Sequence, residues 1–459
     1  MTLIKSISGI RGTIGGLPGE NLTPVDVVKF VGAYIKLLGN NNEQKKLTVV
    51  IGRDARVSGE MVNAMVWSTL SALGVDIIDC GMATTPTVEM AVTRHHADGG
   101  IIITASHNPV QWNALKLLNG KGEFISAADG ALILEYADSG VIRFAPVEKL
   151  GALTRDNDAL EYHIEKILAL PQVDLHAIRN KKFRVVVDAV NSIGGIAIPQ
   201  LLNKLGVLSV IELNCVPDGN FAHNPEPLAE NLTEISRIVR EQKADFGIVV
   251  DPDVDRLALV SEDGTMFGEE YTLVAVADYI LEKTKGSAVS NMSSSRALQD
   301  IAEKWGCEYH SSPVGEINVV EAMKKTNAVI GGEGNGGVIF PDLHFGRDAL
   351  VGVALFLSAL ANKNIRCSEF RNEFPDYFMS KDRISLSGGL SVISAVGKVK
   401  SAFADATFDE RDGLKIILDN EWVHLRSSNT EPIIRIYAES HSIEKAKNLT
   451  ERIKQVMLT

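Results

Sequence analysis

Along most of this chain, short β-branched runs alternate with helix-length segments, and this alternation restricts the fold more than any other feature. Residues 47–51, 75–78, 100–103, 183–187, 208–213, 246–250 and 328–330 read as strands. Strands separated in this way favour α/β units with largely parallel sheets. Between the first two runs, the spacing predicts a helix over 61–73, with Met61, Met65, Leu70 and Leu73 on one apolar stripe. The last ninety residues change character. Residues 414–418 and 422–425 flank Asp419-Asn420 as a hairpin, 433–437 is a further strand, and 443–457 has helical spacing. This end is therefore expected to form a smaller α+β domain.

With 459 residues the chain is too long for one core. Domains of ~100–200 residues imply three or four. The expected division is 1–152, 153–255, 256–368 and 369–459. The net charge of −12 argues against nucleic-acid binding. It also means that any phosphate site must be built locally. The longest apolar run, 349–361, contains Ser358 and is flanked by Asp348 and Asn362. It falls short of the ~20 residues that span a bilayer, so a buried helix is expected. No signal peptide is visible at the N-terminus. Cys80, Cys215, Cys307 and Cys367 have no metal-site spacing, which suggests free thiols in a reducing cytosol. A cytoplasmic protein without membrane partners is the expectation.

Four loops carry the chemistry. The first, Thr104-Ala105-Ser106-His107-Asn108-Pro109, follows the buried run 100–103. Neighbours in a strand or loop tend to face opposite sides, so a Ser-His hydrolase dyad within it is not expected. The plain alternative is a polar turn. Lys116 lies just downstream. The second, Asp251-Pro252-Asp253-Val254-Asp255-Arg256, follows the run 246–250. Alternating carboxylates in extended chain share one side, and three that converge need a cation; oxygen ligands suit Mg²⁺. An EF-hand is excluded because Arg256 stands where the turn needs glycine.

The third loop is Gly331-Gly332-Glu333-Gly334-Asn335-Gly336-Gly337. Its glycines permit close backbone approach by a ligand, and Glu333 with Asn335 suits sugar hydroxyls. A nucleotide-phosphate loop is disfavoured, since Lys-Ser/Thr is missing and a carboxylate would repel phosphate. A glycine-rich hairpin tip is the alternative. The fourth, Arg426-Ser427-Ser428-Asn429-Thr430-Glu431-Pro432, combines a guanidinium, hydroxyls and an amide, as a phosphate receptor requires. A surface turn would not need Arg426.

These loops, in this order, resemble those of the α-D-phosphohexomutases. Ser8-Gly9-Ile10-Arg11-Gly12 and Gly52-Arg53-Asp54-Ala55-Arg56 are similar to that family's N-terminal signatures. The resemblance implies three α/β domains with mixed, largely parallel sheets around a central cleft, plus the smaller C-terminal α+β domain. It implies that Ser106 carries a phosphoryl group. Ser106 would donate it to a hexose monophosphate, giving a bisphosphorylated hexose intermediate and activator, and then take back the other phosphate. One Mg²⁺ on Asp251, Asp253, Asp255 and the phosphoserine is implied. Arg11, Lys116 and His107 would assist with charge or proton transfer. Arg256, Glu333, Asn335, Arg426, Ser428, Asn429 and Thr430 would bind substrate.

The sugar is less determined. Many family members carry Ser where Asn335 stands and His where Gly337 stands. Glu431 after Thr430 points to glucosamine phosphate, Asn429 before it to mannose or glucose phosphate. Glucosamine phosphate is the favoured reading, with the mannose/glucose type as the alternative. A non-catalytic sugar-phosphate binder and a phosphatase are the other classes, the first disfavoured by the intact Ser106 and three aspartates. The sequence leaves monomer or dimer open.

Overall fold

A computed structural model describes residues 2–6, 9–39, 45–386, 392–427 and 433–458. The chain divides into two compact units, Met1–Val276 with Asn335–Arg371, and Ala277–Gly334 with Asn372–Thr459.

In the first unit, a seven-stranded sheet runs in the order Ile4–Ser6, Gly9–Thr13, Trp112–Asn119, Gly99–Ile103, Thr48–Arg53, Asp76–Met82, Leu153–Arg155. Thr48–Arg53 is parallel to both neighbours, and Trp112–Asn119 is antiparallel to both of its own. Gly99–Ile103 is buried throughout, because each face of the sheet carries its own core. Val49, Ile51, Ile101 and Ile103 enter one cluster; Val50 and Ile102 enter the other.

The helix predicted over 61–73 forms at Gly59–Ala72; of the predicted stripe Leu70 is buried and Met65 and Leu73 pack partly buried against the core, but Met61 does not. Val62, Val66, Thr69 and Leu70 are buried, whereas Met61 is 46 % exposed. The four-residue step from Val62 to Val66 and on to Leu70 holds one face toward the sheet. Met61 lies one position off that face, and Val62 and Val66 take the central places.

The unit's second sheet runs Leu257–Ser261, Phe246–Val250, Arg184–Asp188, Ser209–Leu213, with only the first pair antiparallel. Residues 251–256 thus join two fully buried strands. The long apolar run forms Ala349–Lys363, buried from Ala349 to Ala361 and capped by Asp348. Among the described residues, no helix is long and apolar enough to cross a membrane. All four cysteines are unpaired.

In the second unit, Ala288–Asn291 lies between Tyr309–Ser312 and Ile330–Glu333, parallel to both. The strand expected at 328–330 begins two residues later, since Ile330 is the first to pair with Ala288. The C-terminal segment forms an antiparallel sheet in the order Phe378–Ser385, Ile433–Ser440, Glu421–Ser427, Leu414–Leu418, Thr407–Asp409. Its two-residue turn is Asp419-Asn420, with Asp419 at φ +48°. Ala395, Val399, Ile453 and Met457, on the helices Val392–Ala402 and Ile443–Leu458, share a core with the sheet. The antiparallel C-terminal region is the α+β domain that the sequence predicts.

Candidate active site

The strand Gly99–Ile103 ends at the buried Thr104, and the chain then turns at Ser106 with φ +49°. The Thr104 hydroxyl accepts the Ser106 amide (2.9 Å) and donates to Asp54 (2.6 Å). Arg56, 1 % exposed, pairs with Asp54 through Nε at 3.1 Å. Its two terminal nitrogens donate to the carbonyls of Ser106, Asn108 (2.6 Å), Pro109 (2.8 Å) and Trp112 (3.0 Å). Buried carbonyls need partners, and one guanidinium supplies four. Burial pushes the Asp54 carboxyl up, against the pull of Arg56. The signature at 52–56 is therefore the clamp that shapes the serine loop.

Ser106 Oγ donates to Asp251 Oδ2 at 2.7 Å and lies 3.3 Å from His107 Nδ1. The expectation that Ser106 and His107 face opposite sides does not hold. Alternation belongs to extended chain, and the left-handed turn at Ser106 cancels it.

The aspartate loop is likewise a turn, not an extended run. Val254 has φ +63°, and its amide donates to the Asp251 carbonyl at 3.1 Å. Asp251 Oδ1 accepts the amides of Asp255 and Arg256, both at 3.2 Å. The turn, rather than alternation, brings the three carboxylates together. All three are 0 % exposed, and one oxygen from each lies within 4.8 Å of the others.

Three side chains brace them. Lys116 Nζ reaches Asp253 Oδ2 (2.6 Å) and Asp255 Oδ2 (3.2 Å). Thr85 donates to Asp253 Oδ2 at 2.6 Å, and Arg347 Nη2 to Asp255 Oδ2 at 2.7 Å. Burial and the charges of Asp253 and Asp255 push Asp251 well above the usual carboxylate range. Burial also opposes ionisation of Asp253, but Lys116 outweighs it and holds the group below that range. Burial works against the Lys116 ammonium too, yet Asp253 and Asp255 raise its pKa, so it stays charged. His107 is driven well below its ordinary value by burial and then by Arg256, which keeps it neutral at pH 7.

Asp253 Oδ1 and Asp255 Oδ1 are buried without a hydrogen-bond partner. A desolvated carboxylate oxygen left unpaired is costly. Two of them beside a third carboxylate fit one hard divalent cation.

Arg11 lies on Gly9–Thr13 opposite Ala114, while Lys116 projects from the adjacent strand Trp112–Asn119. Burial and the Arg256 charge lower the Arg11 pKa. Arg256, Arg11 and Arg347 all lower the His107 pKa while Asp255 raises it, so cations are gathered beside the aspartates inside an acidic protein. Arg256 Nη1 stands 3.7 Å from Glu226.

The glycine-rich segment corrects another expectation. A Cβ on Gly331 would strike Met323, one on Gly336 the Leu257 backbone, and one on Gly337 the Arg347 side chain. These three glycines make room for the protein itself. Glu333 Oε1 accepts Asn291 Nδ2 (2.8 Å) and the Gly315 amide (3.2 Å), so its carboxylate is fixed in the second unit. In the first unit, Asn335 Oδ1 accepts the Gly337 amide at 3.3 Å. Arg426 Nε pairs with Asp412 at 2.9 Å, and its side chain is 30 % exposed. Ser428, Asn429 and Thr430 lie outside the described residues, as does Ser8.

Arg347 and Thr85 escaped sequence reasoning. For Arg347 a signal existed, since Gly346-Arg347-Asp348 repeats the tripeptide Gly52-Arg53-Asp54. Thr85, next to the Thr84 cap of the helix Thr85–Arg94, looks like any helix start.

Family models for the phosphoglucomutase/phosphomannomutase alpha/beta/alpha domains I, II and III match residues 3–140, 161–264 and 268–378, and the family's C-terminal domain matches 388–456. The chain is 38 % identical over 444 residues to a phosphoglucomutase/phosphomannomutase of Thermococcus kodakarensis, covering 96 % of each. It is 31 % identical over 458 residues to a phosphoglucosamine/phosphogalactosamine mutase of Sulfurisphaera tokodaii, covering 98 % of each. Its fold matches that of a phosphoglucomutase/phosphomannomutase family protein from Burkholderia thailandensis, with a TM-score of 0.83 at 24 % identity, over 100 % of this chain and 98 % of that one. A serine on a clamped turn, three converging aspartates and all four domain matches in order thus have one explanation: the chain belongs to the phosphoglucomutase/phosphomannomutase family, the α-D-phosphohexomutases.

Proposed function

We propose that this phosphohexomutase works through Ser106 as its phosphoryl carrier, interconverting the 6- and 1-phosphates of a hexosamine. The observation that carries the reading is the Ser106 Oγ bond to Asp251 (2.7 Å), beside two carboxylates that each keep one oxygen without a hydrogen bond. In the first half-reaction the bond between phosphorus and Ser106 Oγ breaks as one forms to the sugar hydroxyl. The hydroxyl proton moves to His107, which is neutral and 3.3 Å from Oγ, and passes from there to the departing Oγ, leaving the Ser106 hydroxyl free. After the bisphosphorylated sugar reorients, the transfer runs backward from its other phosphate to Oγ. Lys116, held charged, stabilises oxygens of the moving group, and Arg11 assists.

Asp251, Asp253, Asp255 and the Ser106 side chain would hold one Mg²⁺. When bound, it supplies neutralisation of charge on the phosphoryl oxygens. Glu333 and Asn335 contact sugar hydroxyls. Arg256 binds substrate, and Arg426, with Ser428, Asn429 and Thr430, holds the phosphate that is not reacting. Four unpaired thiols support a cytosolic setting.

The name of the Sulfurisphaera relative supports an amino sugar phosphate, and we favour glucosamine phosphate. The Thermococcus relative's name supports glucose and mannose phosphates as the second reading. Isomerisation kinetics on glucosamine, mannose and glucose 6-phosphates with one enzyme batch decide between them. Mass measurement should find phosphate on Ser106, and Ser106→Ala should lose nearly all turnover. Near-normal turnover in that variant would end the serine mechanism.

A further inference from the structure

Arg347 stands between two of the loops described above. Its Nη2 donates to Asp255 Oδ2 (2.7 Å), and its Nη1 lies 3.5 Å from Asn335 Oδ1. Its aliphatic stem fills the space that any side chain at Gly337 would need. The residue after it is a rigid anchor. Asp348 Oδ1 accepts the amides of Leu350 (2.8 Å) and Val351 (3.3 Å), which starts the helix Ala349–Lys363. Asp348 Oδ2 meets His163 Nε2 (2.9 Å) and His344 Nε2 (3.3 Å). The imidazoles reach onward, His163 Nδ1 to Thr87 (3.0 Å) and His344 Nδ1 to Glu89 (3.3 Å). Thr87 and Glu89 lie on the helix Thr85–Arg94, whose first residue donates to Asp253. One buried chain of acids and imidazoles therefore ties the support of Asp253 to the support of Asp255.

We propose that Arg347, locked by this anchor, is a positioning residue for the cation site: together with Lys116 it holds the Asp255 carboxylate by one oxygen, and it alone of the two couples it to Asn335. The inference rests on the reading of the three aspartates as a Mg²⁺ site. Partners that orient a metal-binding carboxylate typically change metal affinity tenfold to a hundredfold when lost. Removing the positive charge of Arg347 would also strengthen cation binding by simple Coulomb attraction, so the test must keep that charge.

Two variants do so. Arg347→Lys retains the charge and removes the planar fork. Gly337→Ala retains the guanidinium and pushes its stem aside. Titration calorimetry of the full-length chain with MgCl₂ should show about tenfold weaker binding or worse in both, with melting temperatures within a few degrees of wild type. Wild-type affinity in both variants overturns the inference while leaving the Mg²⁺ site standing. A loss of binding matched by a collapse in melting temperature assigns Arg347 to stability and also overturns it. If the wild-type chain itself binds no Mg²⁺, the earlier reading of the aspartates falls first.

Discussion

Two buried clusters in the first unit hold similar groups and reach different ends. Asp251, Asp253 and Asp255 form one; His163, His344 and Asp348 form the other. In each, three atoms of the kind that ligate metals lie within 4.8 Å of one another. In the imidazole cluster, both oxygens of Asp348 are engaged. Burial works against charge on His344, but its hydrogen bond to Asp348 and the Glu89 carboxylate 3.3 Å from Nδ1 raise its pKa to about 10. That cluster supplies its own cation. In the aspartate cluster, Lys116, Thr85 and Arg347 take up oxygens of Asp253 and Asp255 and still leave one on each without a hydrogen bond, although Arg256 Nε stands 4.0 Å from Asp255 Oδ1. Closeness of ligand atoms does not by itself make a metal site; it matters whether those atoms already bond one another, as in the imidazole cluster, or are carboxylates that repel, as in the aspartate cluster.

The contrast can be broken most directly at Asp253. Asp253→Asn should lower turnover by about three orders of magnitude, the scale of several kcal/mol expected when a cation's charge stabilisation is lost. The corresponding change in the other cluster, Asp348→Asn, should instead cost about 3–5 kcal/mol of folding stability by leaving buried imidazolium poorly compensated. Urea unfolding measures it, and an equal effect on stability from both substitutions would erase the distinction.

Added Mg²⁺ sharpens the comparison further. At about a hundred times its dissociation constant it should stabilise the wild type by ~2.7 kcal/mol. His344→Gln should retain that increment and Asp253→Asn should lose it. Mg²⁺-dependent melting curves of the three proteins provide the check.

The smallest effect is in pH. The folded pKa of His344 lies above its ordinary value of 6.5, so its contribution is complete below about 6.5 and is lost as pH rises through about 10. The groups facing it are Glu89, Asp348 and His163. Wild type should therefore lose roughly 1–3 kcal/mol across that window beyond the loss in His344→Gln. Parallel pH profiles for the two proteins would remove His344 as the cluster's cation.

Much of this was legible in the sequence where one local rule sufficed. The run 246–250 announced a buried strand, and three aspartates after it announced a site. The hairpin around Asp419-Asn420 followed from turn chemistry alone. What failed were inferences that needed a third dimension. Ser106 and Val254 take left-handed conformations that no alternation rule anticipates. Gly331, Gly336 and Gly337 looked like ligand-facing glycines, yet the atoms that crowd them come from Met323, Leu257 and Arg347. Arg347 is 92 positions from Asp255 in the chain, and only the fold makes them partners.

The backbone at Ser106 has one more consequence. Threonine offers the same hydroxyl and the same chemistry as serine. A β-branched side chain at φ near +50°, however, crowds its own carbonyl and carries strain, which this fold bears at Val190 (φ +48°) and Val254 (φ +63°). The turn drawn tight by Arg56 thus selects among alcohols before any substrate arrives. Of the two genetically encoded aliphatic hydroxyls, the backbone at this turn favours the one that is unbranched.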